Sequence, residues 1–228
     1  MNVPTLSAEA EMSDVIAALQ EVGAQLTPDD GFHHFNSIYL LVTQGVADRV
    51  TSGSAHDPAF LVRLDATFCQ LYLDALAAGE DGAPRAWQPM LSRRYHRGIS
   101  GMRFAVAGMN AHINRDLAVA LDAACRRVGG TLEDGDARHQ DFRAVDDLLG
   151  ALMAKSKAEV QDRMETMVDD AMGPVDDLLE HWSITHARAL AWDNGLHLHR
   201  LRDQPSAAGR FLRGVDRTAG LIGRLLLL

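Results

Sequence analysis

Apolar residues recur every three or four positions along almost the whole chain, and alternating β-branched residues are nearly absent. That spacing belongs to helices with one buried face. It restricts the 228 residues to an all-α fold, expected as a compact single-domain bundle of about seven to nine helices covering 1–228. This length buries a core without disulfides or metals as staples.

The punctuation divides the chain. A first helix follows Thr5 or Ser7 through Val15, Leu19 and Val22, and Pro28-Asp29-Asp30-Gly31 breaks it. A strongly apolar segment covers residues 32–50, and Asp57-Pro58 opens a third helix, since proline suits a first turn. Residues 77–89 form a Gly- and Pro-rich crossing that leads to the basic run Arg93-Arg94-Tyr95-His96-Arg97. The weakly charged stretch 100–128 is central and ends at Gly129-Gly130. Helices are expected over 140–154, 156–172 and 174–201, with Gly195 able to kink the last. A C-terminal amphipathic helix, 205–228, would complete the core, dock on a surface or form a homodimer interface.

Composition removes several classes of function. A net charge of -9 gives no concentrated positive field for a nucleic-acid backbone. No apolar run is long enough to span a bilayer. The opening MNVPTLSAEAEMSD lacks the basic start and apolar core of a secretory signal. Cys69 and Cys125 sit in apolar runs without metal or redox spacing, as small core residues of a reducing, cytoplasmic setting. No Gly-rich phosphate loop, dinucleotide fingerprint or GxSxG elbow occurs, so no nucleotide or flavin site is indicated.

Chemistry concentrates in three places. In the central segment His112 and Asp116 lie four apart, spaced for an acid–base pair or shared metal ligation. Asn110 and Asn114 add polar groups to a helix that buries nearly everything else, and each buried polar atom left unpaired would cost about 1–3 kcal/mol. The second set, His33, His34, Asn36 and Tyr39, heads the apolar segment 32–50. The third follows one face of the helix after Pro174: Trp182, His186 and Asp193. A divalent metal would have to be assembled across space from His112, Asp116, His33, His34, His186 and Asp193, because no HExxH or CxxC framework appears. Asp176-Asp177-Leu178-Leu179-Glu180 has the DDxxE form of helical terpene cyclases, but acids at a helix start are also what the helix dipole favours.

The strings HFNSIYLLVTQGV, AGMNAHINRDLAVAL and WSITHARALAWDNG resemble an uncharacterised all-helical bacterial family, domain of unknown function family 5995, over residues 10–200. The resemblance implies an all-helical domain and no established activity. It also implies that Asn36, Tyr39, Asn110, His112, Asn114 and Asp116 form the family's polar signature.

These observations lead to one expectation and two alternatives. The expectation is a small-molecule enzyme with His112 and Asp116 catalytic, a metal-assisted hydrolase or a cyclase/lyase. Asn36, Tyr39, Asn110, Asn114, Trp182 and His186 would bind substrate. The first alternative is a non-catalytic ligand-binding or interaction protein in which the same cluster is structural glue. The more distant one is a terpene-cyclase-like enzyme, whose aromatic-lined cavity is hard to build from 6% aromatic residues.

Overall fold

A computed structural model describes the backbone of residues 1–164 and 183–228, and side chains for residues 1–150 and 183–228. The elements are α1 (Met12–Gly23), α2 (Gly31–Thr51), α3 (Pro58–Gly82), α4 (Gln88–Arg93), α5 (Gly101–Ala111), a π-helical segment (His112–Leu117), α6 (Ala118–Val128), α7 (Ala137–Met164), α8 (Ile184–Arg200) and α9 (Pro205–Leu226). With the continuous α5–π–α6 rod counted once, the described residues form eight helices and no strand, as the periodicity predicts.

Caps set most of these starts. Asp30 accepts the Phe32 amide at the head of α2 and also receives the Arg94 guanidinium, tying the basic run 93–97 to this helix. Asp57 caps α3, with Pro58 in its first turn. Ser100 and Ser183 cap α5 and α8. Gly129, at φ 85°, ends α6 in a conformation that residues with a Cβ avoid.

Four details differ from the sequence reading. α1 begins at Met12, where Glu11 and Asp14 form a capping box, and not after Thr5 or Ser7. The crossing at 77–89 is shorter than expected, because α3 runs on to Gly82 across a kink at Gly79 and α4 begins at Gln88. The break near residue 155 does not occur, and α7 is continuous to Met164, with no glycine or proline to stop it there. Gly195 does not kink α8. It lets that helix approach α6, where a Cβ would lie 2.9 Å from the Leu121 side chain.

The α5–π–α6 rod is the axis of the fold, with α2, α3, α8 and α9 packed around it. Its main core joins residues of α1, α2, α3 and the rod to Trp87, Phe142, Trp192 and Leu226. A smaller cluster of Met12, Val46, Val62, Val145 and Leu149 lies beside it, where α2, α3 and α7 meet. No helix among the described residues is long and apolar enough to cross a membrane.

Candidate functional site

The π segment begins at His112 and carries the chemistry. One turn of i→i+5 bonding is wider than an α turn and re-aims its side chains, which is why such turns gather at functional sites. Met109, His112, Ile113 and Leu117 thereby wall one cavity, while Asp116 points elsewhere. Asp116 is fully buried and accepts three hydrogen bonds. Trp87 Nε1 (2.8 Å) and His112 Nδ1 (3.1 Å) donate to Oδ2, and Arg115 Nη1 (2.6 Å) donates to Oδ1. A carboxylate that receives Trp and Arg donors is acceptor-only, so the proton lies on Nδ1 of His112 and the neutral imidazole keeps a lone pair on Nε2. Burial lowers the His112 pKa against the opposing pull of Asp116, which favours the neutral ring.

Aromatic rings enclose that imidazole. Phe68 stacks flat on it at 3.5 Å between centroids, Tyr39 lies at 4.7 Å, and Phe35, Trp87 and Tyr72 complete the cage. Nε2 itself is buried and has no hydrogen-bond partner among the described residues. Asp65 Oδ2 is buried and partnerless in the same way, and the Tyr39 hydroxyl, beside the Cys69 thiol, also lacks a nitrogen or oxygen partner among the described residues. All three residues line one partly open cavity of about 70 Å³ at the junction of α2, α3, the π segment, α7 and α8. The rest of its wall is almost wholly aliphatic or aromatic, apart from Arg188, which is held by Asp146 and the Phe142 carbonyl. With no counter-ion beside it, the buried Asp65 carboxyl is pushed up to about 7.

The remaining sequence candidates lie elsewhere. Asn36 is buried away from the cavity. Its Nδ2 donates to the Leu19 carbonyl at 3.0 Å and its Oδ1 accepts from Tyr72, so it joins α1, α2 and α3. Asn110 donates to the Ala219 carbonyl at 2.8 Å and accepts from Asn114, fastening α9 to α5. These amides hold helices together, with both the oxygen and the nitrogen of Asn36 and of Asn110 bonded to protein groups. His33 and His34 stand half-buried at the head of α2, where His34 lines a separate polar cleft with His96 and Arg97. His186 and Asp193 are exposed, because α8 turns Ile184, Ala187, Arg188 and Ala191 inward. Trp182 lies outside the described residues, as do Asp176, Asp177 and Glu180. No group of three His, Cys, Asp or Glu side chains suited to a metal ion occurs among the described residues, so the six candidate ligands are not brought together.

Sequence reasoning missed Asp65, Phe68, Trp87 and Arg188. Asp65 did leave a signal, a lone carboxylate on the apolar face of Leu61, Leu64, Phe68 and Tyr72. Trp87 left none, because it lies in a segment read as a loop. A second constellation was also missed. His199 Nδ1 lies 3.0 Å from Asp122 Oδ1, and its Nε2 lies 3.8 Å from the Cys125 thiol, which also receives Arg138 Nη1 at 3.3 Å. It has the outline of a nucleophile triad. Yet Cys125 is wholly buried, burial raises its pKa, and its place in the last turn of α6 sets it against the helix dipole.

Compared with known proteins, residues 12–228 match the model of a family of unknown function, DUF5995. The chain belongs to that family, and the match runs through α9, beyond the stretch in which the sequence strings carried the resemblance. No curated protein and no solved structure matches it significantly.

Proposed function

We propose that this member of a family of unknown function is a small-molecule enzyme in which His112 transfers a proton. The observation that carries the reading is the free Nε2 of a buried imidazole on a cavity wall, its other nitrogen held by Asp116. Asp116 is then a positioning residue that fixes the tautomer, and Nε2 is the base, the arrangement general acid–base catalysis needs. Hydrolysis or a lyase-type elimination fits such a group. The metal-assisted version is the weaker form, since His112 and Asp116 find no third ligand among the described residues. The terpene-cyclase-like reading is weaker still, with about 70 Å³ of cavity to hold an isoprenoid chain.

The non-catalytic alternative keeps one observation in its favour: Asn36, Asn110, Asn114 and Asp116 satisfy protein groups, as structural glue would. A cytoplasmic setting belongs to either reading and fits two free, buried cysteines. A homodimer would use the outer face of α9, where Leu221 and Leu225 are exposed, with Leu228 just beyond its end.

The test incubates purified protein with a bacterial metabolite extract and follows every compound by mass spectrometry. The variant is His112→Asn, which keeps a donor for Asp116 and removes Nε2. Wild type is expected to consume a compound that the folded variant leaves intact. A compound retained but unchanged by both proteins would replace the enzyme reading with the binding one. Consumption at equal rates by both would remove His112 from the chemistry.

A further inference from the structure

The ligand class follows from what the cavity wall offers and what it withholds. That class presupposes the small-molecule site proposed above. Three helical segments each bring one polar atom without a nitrogen or oxygen partner among the described residues: Tyr39 Oη from α2, Asp65 Oδ2 from α3 and His112 Nε2 from the π segment. Each such atom forfeits about 1–3 kcal/mol. Thr43 Oγ1, Arg49 Nε and Arg115 Nε are partnerless too among the described residues, but none of these three residues lines the cavity. Three around one cavity are a demand for hydrogen bonds that the described residues do not meet.

The demand is for neutral partners. The hydroxyl of Tyr39 donates or accepts and Nε2 of His112 accepts. The Asp65 carboxyl, pushed up to about 7 by burial, donates below that pH, where an ammonium group meets no counter-charge on the wall. The only cation among the described residues of the wall, Arg188, already serves Asp146 and lies over the Phe142 ring. A carboxylate or phosphate would therefore enter an apolar site with no free counter-charge, and desolvating an unpaired ion is prohibitive. A sugar-like molecule would leave most of its hydroxyls against Ile38, Val42, Leu61, Leu64 and Ile113.

Size narrows the class again. A dry engineered cavity of about 150 Å³ holds benzene. A cavity of about 70 Å³ takes a smaller group, with any longer part of the molecule running out through the open side. The three polar atoms are themselves covered by neighbouring side chains, so a ligand reaches them by displacing a ring, and Phe68 lies flat on the imidazole.

We infer that this cavity takes an uncharged, compact molecule with an apolar skeleton and a single hydroxyl or carbonyl group. A hydroxyl donates to His112 Nε2 and accepts from Tyr39 and Asp65, while a carbonyl accepts from Tyr39 and Asp65 alone. Asp65 thereby becomes a ligand-binding residue of the site.

The test uses matched four-carbon probes: 1-butanol and 2-butanone against butyrate and n-butylamine. Binding is read at about pH 5.5, where Asp65 holds its proton and both ionic probes are charged, from the methyl NMR signals of Val42, Leu61, Leu64 and Ile113 in the full chain. The alcohol and ketone are expected to shift these methyls, and the ions are not. Tyr39→Phe and Asp65→Asn should each weaken the binding of at least one neutral probe roughly five- to tenfold, the scale of one hydrogen bond. Val42→Phe, which fills the cavity, should abolish it, with Leu64→Phe as the second filler if the first does not fold. If butyrate or butylamine binds at these methyls as tightly as butanol, the ligand class is wrong and the small-molecule site stands. If no probe moves them, or the fillers leave binding unchanged, both the class and the site fall.

Discussion

Two buried histidine–aspartate pairs can be compared within this molecule. His112 meets Asp116 at 3.1 Å and His199 meets Asp122 at 3.0 Å, both through Nδ1. The difference lies at the other nitrogen. Nε2 of His199 is occupied by the Cys125 thiol and Arg202, whereas Nε2 of His112 has no partner and belongs to a cavity wall. The carboxylates differ too, since Asp116 is sealed and serves three donors while Asp122 is partly exposed and shares itself with Arg126. A dyad by itself is therefore no signature of catalysis. What separates a candidate base from a structural clamp is a lone pair left over and room beside it.

The largest contrast is expected on removing the carboxylates. Asp116→Ala strands the Trp87, His112 and Arg115 donors in the interior and should cost about 3–5 kcal/mol in urea unfolding. Asp122→Ala leaves groups that water can partly reach, and should cost about 1 kcal/mol. Equal losses at the two positions would erase the distinction between sealed and open pairs.

The next contrast has the opposite sign. The buried Asp65 carboxyl titrates near 7, against 3.8 for an ordinary aspartate. Between those values the unfolded chain releases its proton while the folded chain keeps it, so this group makes the protein less stable as pH rises from about 4 to 7. The displacement is about three units, on the order of 4 kcal/mol at full development. Asp65→Asn removes the penalty. The variant should match wild type near pH 4 and exceed it by up to about 4 kcal/mol at pH 8, by urea unfolding at both. A stability difference that does not change with pH would mean that Asp65 is ionised and partnered in the folded state.

Most of the scaffold was legible in the sequence, and the division of labour inside the site was not. Periodicity located α1, α2, α3 and the central rod, and capping residues marked where all but α1 begin, because spacing and capping are local properties of the chain. α1 starts at Met12 behind Glu11 and not after Thr5 or Ser7. The spacing of His112 and Asp116 likewise predicted their contact. Which polar atoms end without partners is a tertiary property. Asn36, Asn110 and Asn114 looked like ligand-binding groups until Leu19, Tyr72 and Ala219 arrived from other helices to satisfy them. His186 looked like a site residue until the packing of α8 turned it outward, and the π turn at His112 carries no Gly or Pro to announce it. Asp65, by contrast, was readable as a lone carboxylate on an apolar stripe.

A third comparison sets the two histidines against each other directly. His112→Asn and His199→Asn both keep an amide donor for their aspartates. Only the first removes a free base, so it alone should lower turnover of a substrate found in the extract screen, by roughly 10²–10⁴-fold. His199→Asn should act on stability through its Cys125 contact and leave turnover within a few-fold of wild type. A shared loss of turnover would point to both dyads in the chemistry.

The smallest effect separates two tyrosines of the same cage. Tyr72 donates to Asn36 Oδ1 at 3.3 Å, whereas the Tyr39 hydroxyl is buried with no nitrogen or oxygen partner among the described residues. Removing a satisfied hydroxyl forfeits a hydrogen bond and strands its acceptor, so Tyr72→Phe should cost about 1 kcal/mol. Removing an unsatisfied one relieves a desolvation penalty while the ring keeps its packing against Phe68 and His112, so Tyr39→Phe should be neutral or stabilising by about 1 kcal/mol. The two variants thus carry the same chemical change with opposite expected signs, and parallel urea titrations measure both. If Tyr39→Phe is as costly as Tyr72→Phe, the Tyr39 hydroxyl has a partner in solution, the neighbouring Cys69 thiol or a bound water, and the cavity presents two unmet groups to a ligand instead of three. If it stabilises, the chain carries an unsatisfied hydroxyl at a cost to its own folding, which is what a binding group kept for something outside the protein would look like.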